Sequence, residues 1–223
     1  MVTTIHFMKM LNHIPGTAAV FLLSVATFLS CNNKDNKNST AKPIDTVLHS
    51  KQPGGYVSSD QSPMDMSYFP EDYPLLKMNG DSAPPIARVI YSRPQKKGRL
   101  IFGNTEQSLR QYGKEWRLGA NEATEIEFFR EVSIAGKKVN KGRYIIYCIP
   151  YEDKWTIVLN NNLFTWGLHM DSKKDIFKTD IPTMVQSPSV EDFTMQFEPS
   201  VSGTDLLMAW DNVKAILPIS FSK

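Results

Sequence analysis

Residues 116–160, WRLGANEATEIEFFREVSIAGKKVNKGRYIIYCIPYEDKWTIVLN, read as three or four β-strands joined by glycine turns. Within them Thr124-Glu125-Ile126-Glu127-Phe128 alternates strictly, which turns Ile126 and Phe128 inward and the two glutamates to water. Residues 132–139 reverse at Ala135-Gly136 as a hairpin. Residues 143–149 are apolar almost throughout, the pattern of a central strand covered on both faces. Residues 155–159 follow across a polar turn. A chain with this centre folds as sheet.

The flanks agree. Residues 87–92 are β-branched and aromatic and stop at Pro94, and residues 99–102 form a second short strand ended by Gly103. Later strands are expected at 176–181, 193–197, 206–210 and 213–221. The last two should meet in a hairpin at Asp211-Asn212, and Pro218 places the final strand at an edge or on a bulge. Only residues 105–112, TEQSLRQY, suggest a helical turn, and no internal repeat is present. The expected fold is all-β: one β-sandwich, jelly-roll-like or a related barrel, of about nine to ten strands. It should occupy residues 62–223, an ordinary single-domain size.

The amino end has a different character. Residues 18–29, AAVFLLSVATFL, are apolar but too few to span a bilayer, which takes roughly 20 residues. They suit the core of a secretory signal over residues 1–30. Phe28-Leu29-Ser30-Cys31 resembles a relaxed lipobox, with Phe28 where leucine is usual, so Cys31 is the expected lipidation site. The alternative is an ordinary signal peptide in which Cys31 is incidental. Lys9 alone supplies positive charge ahead of the core, and a start at Met8 would give a more ordinary signal. Residues 31–61 are rich in Asn, Lys, Ser, Gly and Pro and read as a flexible tether. About 28 residues of such coil reach roughly 30 Å. The expected location is the bacterial cell envelope, with the outer membrane as partner through the lipid on Cys31.

Composition removes much chemistry. The net charge is +2 and falls to +1 once Lys9 leaves with the signal, so nothing favours nucleic acid as a partner. Of two cysteines, Cys31 is the lipid site and Cys148 lies inside the apolar strand YIIYCIP as core filler. His169 is the one histidine of the folded region, so no ordinary His/Cys zinc site is expected. No GxSxG, P-loop or GxGxxG motif occurs, and no cofactor is called for.

Five segments, ARVIYSRPQKKGRLIFG, YGKEWRLGANEATEIEF, GRYIIYCIP, WTIVLN and TWG, follow one another in this chain. In that order they resemble a family of secreted proteins common in Bacteroidetes, catalogued as a domain of unknown function, number twenty-nine eleven. The resemblance covers roughly residues 62–221. Leu118 departs from the threonine or alanine usual there. The resemblance implies a β-rich exported domain, often behind a signal or lipobox, and brings no activity.

The candidate site is the polar group Arg117, Asn121, Glu122 and Thr124, gathered at the turn Gly119-Ala120-Asn121. Arg117 offers a fork of donors for a carboxylate, phosphate or sugar hydroxyl pair, and Glu122 can accept hydrogen bonds or act as a base. Trp116 and Trp166 offer stacking faces, and Arg93 and Arg99 bracket a turn expected on the same face, since the short loops of a sandwich gather at its ends. Against this stands a structural role: Arg117 pairing with Glu122 to lock a loop, and the tryptophans as core. Three functions follow from different classes. One is a non-catalytic binding module for a small ligand, glycan or envelope protein. Another is a hydrolase or lyase using Glu122 with Arg117 and a second carboxylate such as Asp171 or Asp175. The third is an assembly protein pairing through its strand edges.

Mass spectrometry of protein purified from membranes should find Cys31 as an acylated first residue. Cys31→Ser should move the protein into the soluble fraction, since the lipid supplies most of the membrane affinity.

Overall fold

The computed structural model describes residues 60–221. The expected signal peptide, Cys31, and the tether up to residue 59 lie outside the described residues. The chain runs β1 (Met64–Phe69), α1 (Tyr73–Met78), β2 (Ala87–Ser92), β3 (Phe102–Gly103), β4 (Arg110–Gln111) and β5 (Glu125–Phe128). It continues through β6 (Val132–Ile134), β7 (Lys137–Val139), β8 (Gly142–Pro150), β9 (Lys154–Asn160), β10 (Asp175–Ser200) and β11 (Gly203–Ser220). Nine strands make one antiparallel sheet in the order β1-β2-β5-β8-β9-β10-β11-β6-β7, and β3 and β4 form a short parallel pair. The architecture is all-β and sandwich-like.

One strand makes it so. The first part of β10 pairs with β9, from Asp175 to Pro182, and its remainder pairs with β11, from Thr183 to Ser200. The sheet thereby passes from one limb to the other and folds back on itself. The seam opposite is closed with few ladder bonds. Gln95 bridges Asp192, Phe193 N–H donates to Pro94 O at 3.0 Å, and Lys96 N–H to Glu191 O at 2.8 Å. Further along, Phe197 N–H on β10 donates to Ser67 Oγ on β1 at 3.0 Å, and the Tyr91 hydroxyl on β2 lies beside the Met195 backbone. Tyr91 in turn donates to Asp65 at 3.0 Å. Burial, more than the neighbouring Asp65 charge, raises the Tyr91 pKa and keeps it a hydroxyl.

Local pattern and packing agree along most strands. Ile126 and Phe128 are fully buried, while Glu125 and Glu127 face out and pair with Arg143 and Arg88. Central β8 buries both faces: Tyr144, Ile146 and Cys148 enter the main core, and Ile145 and Tyr147 are covered on the other side. Burial raises the Cys148 thiol far above its usual range, which leaves it inert. Between the limbs lies an aromatic cluster. Phe102 sits 5.7, 5.4 and 6.3 Å from Trp116, Trp155 and Trp210, and Trp116 stacks on Trp210 at 5.7 Å.

Several expectations are corrected. Residues 206–210 and 213–221 are not a hairpin at Asp211-Asn212; they are one strand, β11, and the turn falls at residues 201–202. Asp211 instead takes a left-handed φ of 55° opposite Val190, where the β10–β11 register shifts. Its carboxylate holds Lys96 at 2.5 Å and Ser189 at 2.8 Å, so the turn-forming dipeptide makes a bulge. Residues 176–181 and 193–197 likewise belong to one strand. Pro218 falls after the last β10 pair at Ala215 and before the β6 pairs at Ile219 and Ser220, so it costs no ladder bond. Residues 105–112 hold a turn closed by Ser108 N–H on Thr105 O and then β4, without helix. Sequence reading passed over β1 and α1.

Phe102→Ala should cost about 3–5 kcal/mol, because it empties the space between three tryptophans. Chemical denaturation should show a lowered midpoint for it, whereas Phe164→Ala, at a side chain 86% exposed, should stay within about 0.5 kcal/mol.

Candidate functional site

The polar group at residues 117–124 is an excursion from the middle of a strand. Trp116 pairs with Cys148 through two backbone hydrogen bonds of 2.7 and 2.8 Å, and Ile146 N–H donates to Thr124 O at 3.0 Å. Both ends of the loop are therefore stitched to β8, and the residues between leave the sheet. Thr124 N–H reaches back to Arg117 O at 3.4 Å across the neck. Inside the loop, Thr124 Oγ1 donates to Leu118 O at 2.6 Å and Trp116 Nε1 to Gly119 O at 3.1 Å. Leu118 and Asn121 take left-handed φ values of 52° and 55°. Asparagine tolerates that conformation, whereas leucine accepts it here because its side chain is fully buried.

Two expected ligand contacts are internal. Trp116 is 2% exposed, packed among Phe102, Trp155, Phe193 and Trp210, so it has no face for a ligand. Thr124 is fully buried and spends its hydroxyl on the loop. Asn121 turns toward the N-terminal side and donates to Asp60 Oδ2 at 2.6 Å and Ser62 O at 3.3 Å. Arg93 belongs to the seam: it pairs with Asp65 at 3.2 Å and donates to Phe193 O and Thr194 Oγ1. Glu122 is exposed and forms no ion pair with Arg117, although its charge favours the protonated guanidinium. The second carboxylates considered for it are engaged. Asp171 accepts from Lys173 N–H, and Asp175 accepts from Tyr147 and Asn160. Among the described residues no three His, Cys, Asp or Glu side chains gather as a metal would require.

What does converge is Arg117 with the loop after β9. Arg117 Nη1 donates to Trp166 O at 2.9 Å, and Glu115 accepts from Met170 N–H at 3.4 Å. Gly167, at φ 76°, is the pivot: a Cβ there would stand 2.9 Å from Ala123 Cβ and 3.0 Å from Arg117 Cβ. The loop so held presents Phe164, Trp166 and Leu168 to solvent, at 86, 55 and 66% exposure. The Arg143 guanidinium lies 5.3 Å from the Phe164 ring centroid.

Arg110, on β4, escaped sequence reading. Its guanidinium lies 5.6 Å from the centroid of the Trp116 ring, near Arg117 and Arg99. Burial, then those two neighbouring charges, bring its pKa down to about 10, and burial also lowers that of Arg117. Arg99 donates to the carbonyls of Lys96 and Gln95. No sequence pattern marks Arg110, since only folding lays β4 over the Trp116 ring.

The family model described as "Protein of unknown function (DUF2911)" matches residues 79–219. The chain belongs to this family. The DUF2911 span takes in every strand but β1, and with them Arg99, Arg110, Arg117 and the loop bearing Trp166. No curated protein and no solved structure matches the chain.

Gly167→Ala should force alanine into a left-handed φ against Arg117, at a cost of about 1–3 kcal/mol. Hydrogen exchange should quicken across residues 163–170 and stay unchanged in β8.

Proposed function

We propose that this protein is an exported lipoprotein of the bacterial envelope, anchored through Cys31, whose β-domain is a non-catalytic binding module for a small ligand or glycan. The anchor reading rests on the apolar run that ends at Cys31 and the polar tract after it. The binding reading rests on one observation. Phe164, Trp166 and Leu168 stand exposed together on a loop fastened to Arg117. Large apolar side chains exposed side by side need a partner to cover them. An exposed indole on a loop whose backbone Arg117 holds suits a sugar ring or a planar ligand.

The hydrolase or lyase reading has less support, because Glu122 stands exposed while Asp171 and Asp175 are spent on other partners. Assembly through strand edges has less support too. The edge strand β7 carries Lys137 and Lys138, both exposed, and lysine on an edge opposes pairing with a further strand.

A thermal-shift screen of the purified protein against sugars, nucleotides and organic acids should give a hit. Trp166→Ala and Phe164→Ala should each weaken it about tenfold without changing the ligand-free midpoint. A hit untouched by both substitutions would remove the platform.

A further inference from the structure

Arg110 is half-buried, with its guanidinium over the Trp116 ring. Its Nε is shielded from solvent and has no hydrogen-bond partner, and the rest of its guanidinium makes no hydrogen bond or ion pair among the described residues. Arg88 also has an unpartnered Nε, but its terminal nitrogen is paired with Glu127. The shielded Nε can meet neither water nor a ligand, so the part of Arg110 left to act is its pair of terminal nitrogens, which no protein group takes among the described residues.

The surroundings add charge instead of cancelling it. Arg117 and Arg99 lie close enough to disfavour the protonated form of Arg110. Beside it is a cavity of about 180 Å³ lined by Ser108, Arg110, Gln111, Lys114, Glu115 and Trp116. Lys114 makes no ion pair, nor do Arg99 and Arg117, among the described residues. Two carboxylates stand nearby. Glu115 lines the cavity and accepts from Met170 N–H, and the Glu122 charge acts on Arg117. Four cations against two carboxylates leave the place electropositive. Gathering guanidiniums without a counter-ion is unfavourable, and a bound anion reverses the sign of that interaction. The cavity falls below the roughly 300–1,000 Å³ of pockets that enclose a whole drug-sized ligand, so it suits one small charged group.

We propose that Arg110, with Arg99, Arg117 and Lys114 around it, forms a site for a tetrahedral oxyanion, a phosphate or sulfate group either free or carried as an ester on a larger molecule. The two terminal nitrogens of Arg110 offer paired donors to two oxygens of such a group, a geometry that a single chloride ion does not match. The site shares Arg117 with the loop that bears Phe164, Trp166 and Leu168, but uses none of those three side chains and holds even if they bind nothing.

Calorimetric titration of the purified protein with inorganic phosphate, inorganic sulfate and a sugar phosphate monoester, against chloride at matched ionic strength, tests this. Phosphate or sulfate should bind where chloride does not. Arg110→Met should abolish binding, and Arg110→Lys, which keeps the charge and loses the fork, should weaken it about tenfold. A sugar phosphate binding well above inorganic phosphate supports an ester ligand, and equal binding supports the free anion. Phosphate should also slow arginine-selective modification of Arg110 in the unsubstituted protein, read by peptide mass, which serves if the variants fold poorly. Binding no stronger than chloride, or binding retained in Arg110→Met, or Arg110 modified at the same rate with phosphate present, would overturn the proposal.

Discussion

Trp116 is the residue on which both the core and the exposed loop depend. Its backbone pairs with Cys148, which fixes where the chain leaves the sheet, and its indole packs among Phe102, Trp155, Phe193 and Trp210 between the limbs. Aromatic rings in this number bury large areas and add edge and stacking attractions of about 0.5–1.5 kcal/mol per pair. The excursion at residues 117–123 thus starts from a residue held both by the sheet and by the core. A loop on such a base keeps its shape with few bonds of its own. Arg117 and Arg110 inherit that fixity, one through the backbone at the neck and the other through the ring it lies over.

The seam shows how a long sheet closes without a complete ladder. Where β10 turns from β9 to β11, its outer edge needs partners for amides that would otherwise be buried unpaired. Ser67 supplies one with its hydroxyl, and Arg93 satisfies a carbonyl and a side chain on the same strand. Arg93 therefore reads as structure, although in sequence it looks like Arg99. The two differ only in which neighbour the fold gives them: an acid and a strand edge for Arg93, two backbone carbonyls and the Arg110 guanidinium for Arg99.

Polar residues in this domain divide by whether their bonds are spent. Thr124, Asn121, Asp175 and Asp211 are committed to holding loops and strands. Arg110 and the exposed face of Trp166 are not. That division, and not the mere clustering of polar types along the chain, singles out the surface where a ligand would meet the protein.

Periodicity alone determined the sheet. The alternation of residues 125–128, the unbroken apolar run of β8 and the Ala135-Gly136 turn can be read without coordinates, because each depends on neighbours two residues apart or on one backbone conformation. The sequence also drew attention to Arg117 and Trp166, which the fold brings together. It left Trp116 open between core and platform and misplaced the Asp211-Asn212 turn, since a tryptophan serves both roles and a turn dipeptide can equally make a bulge. Only the tertiary structure decided that β10 and β11 run unbroken, that Trp116 lies inside, and that Arg110 stands beside Arg99 and Arg117. Those outcomes depend on contacts between residues far apart along the chain, and no local pattern encodes which distant partner a side chain will meet.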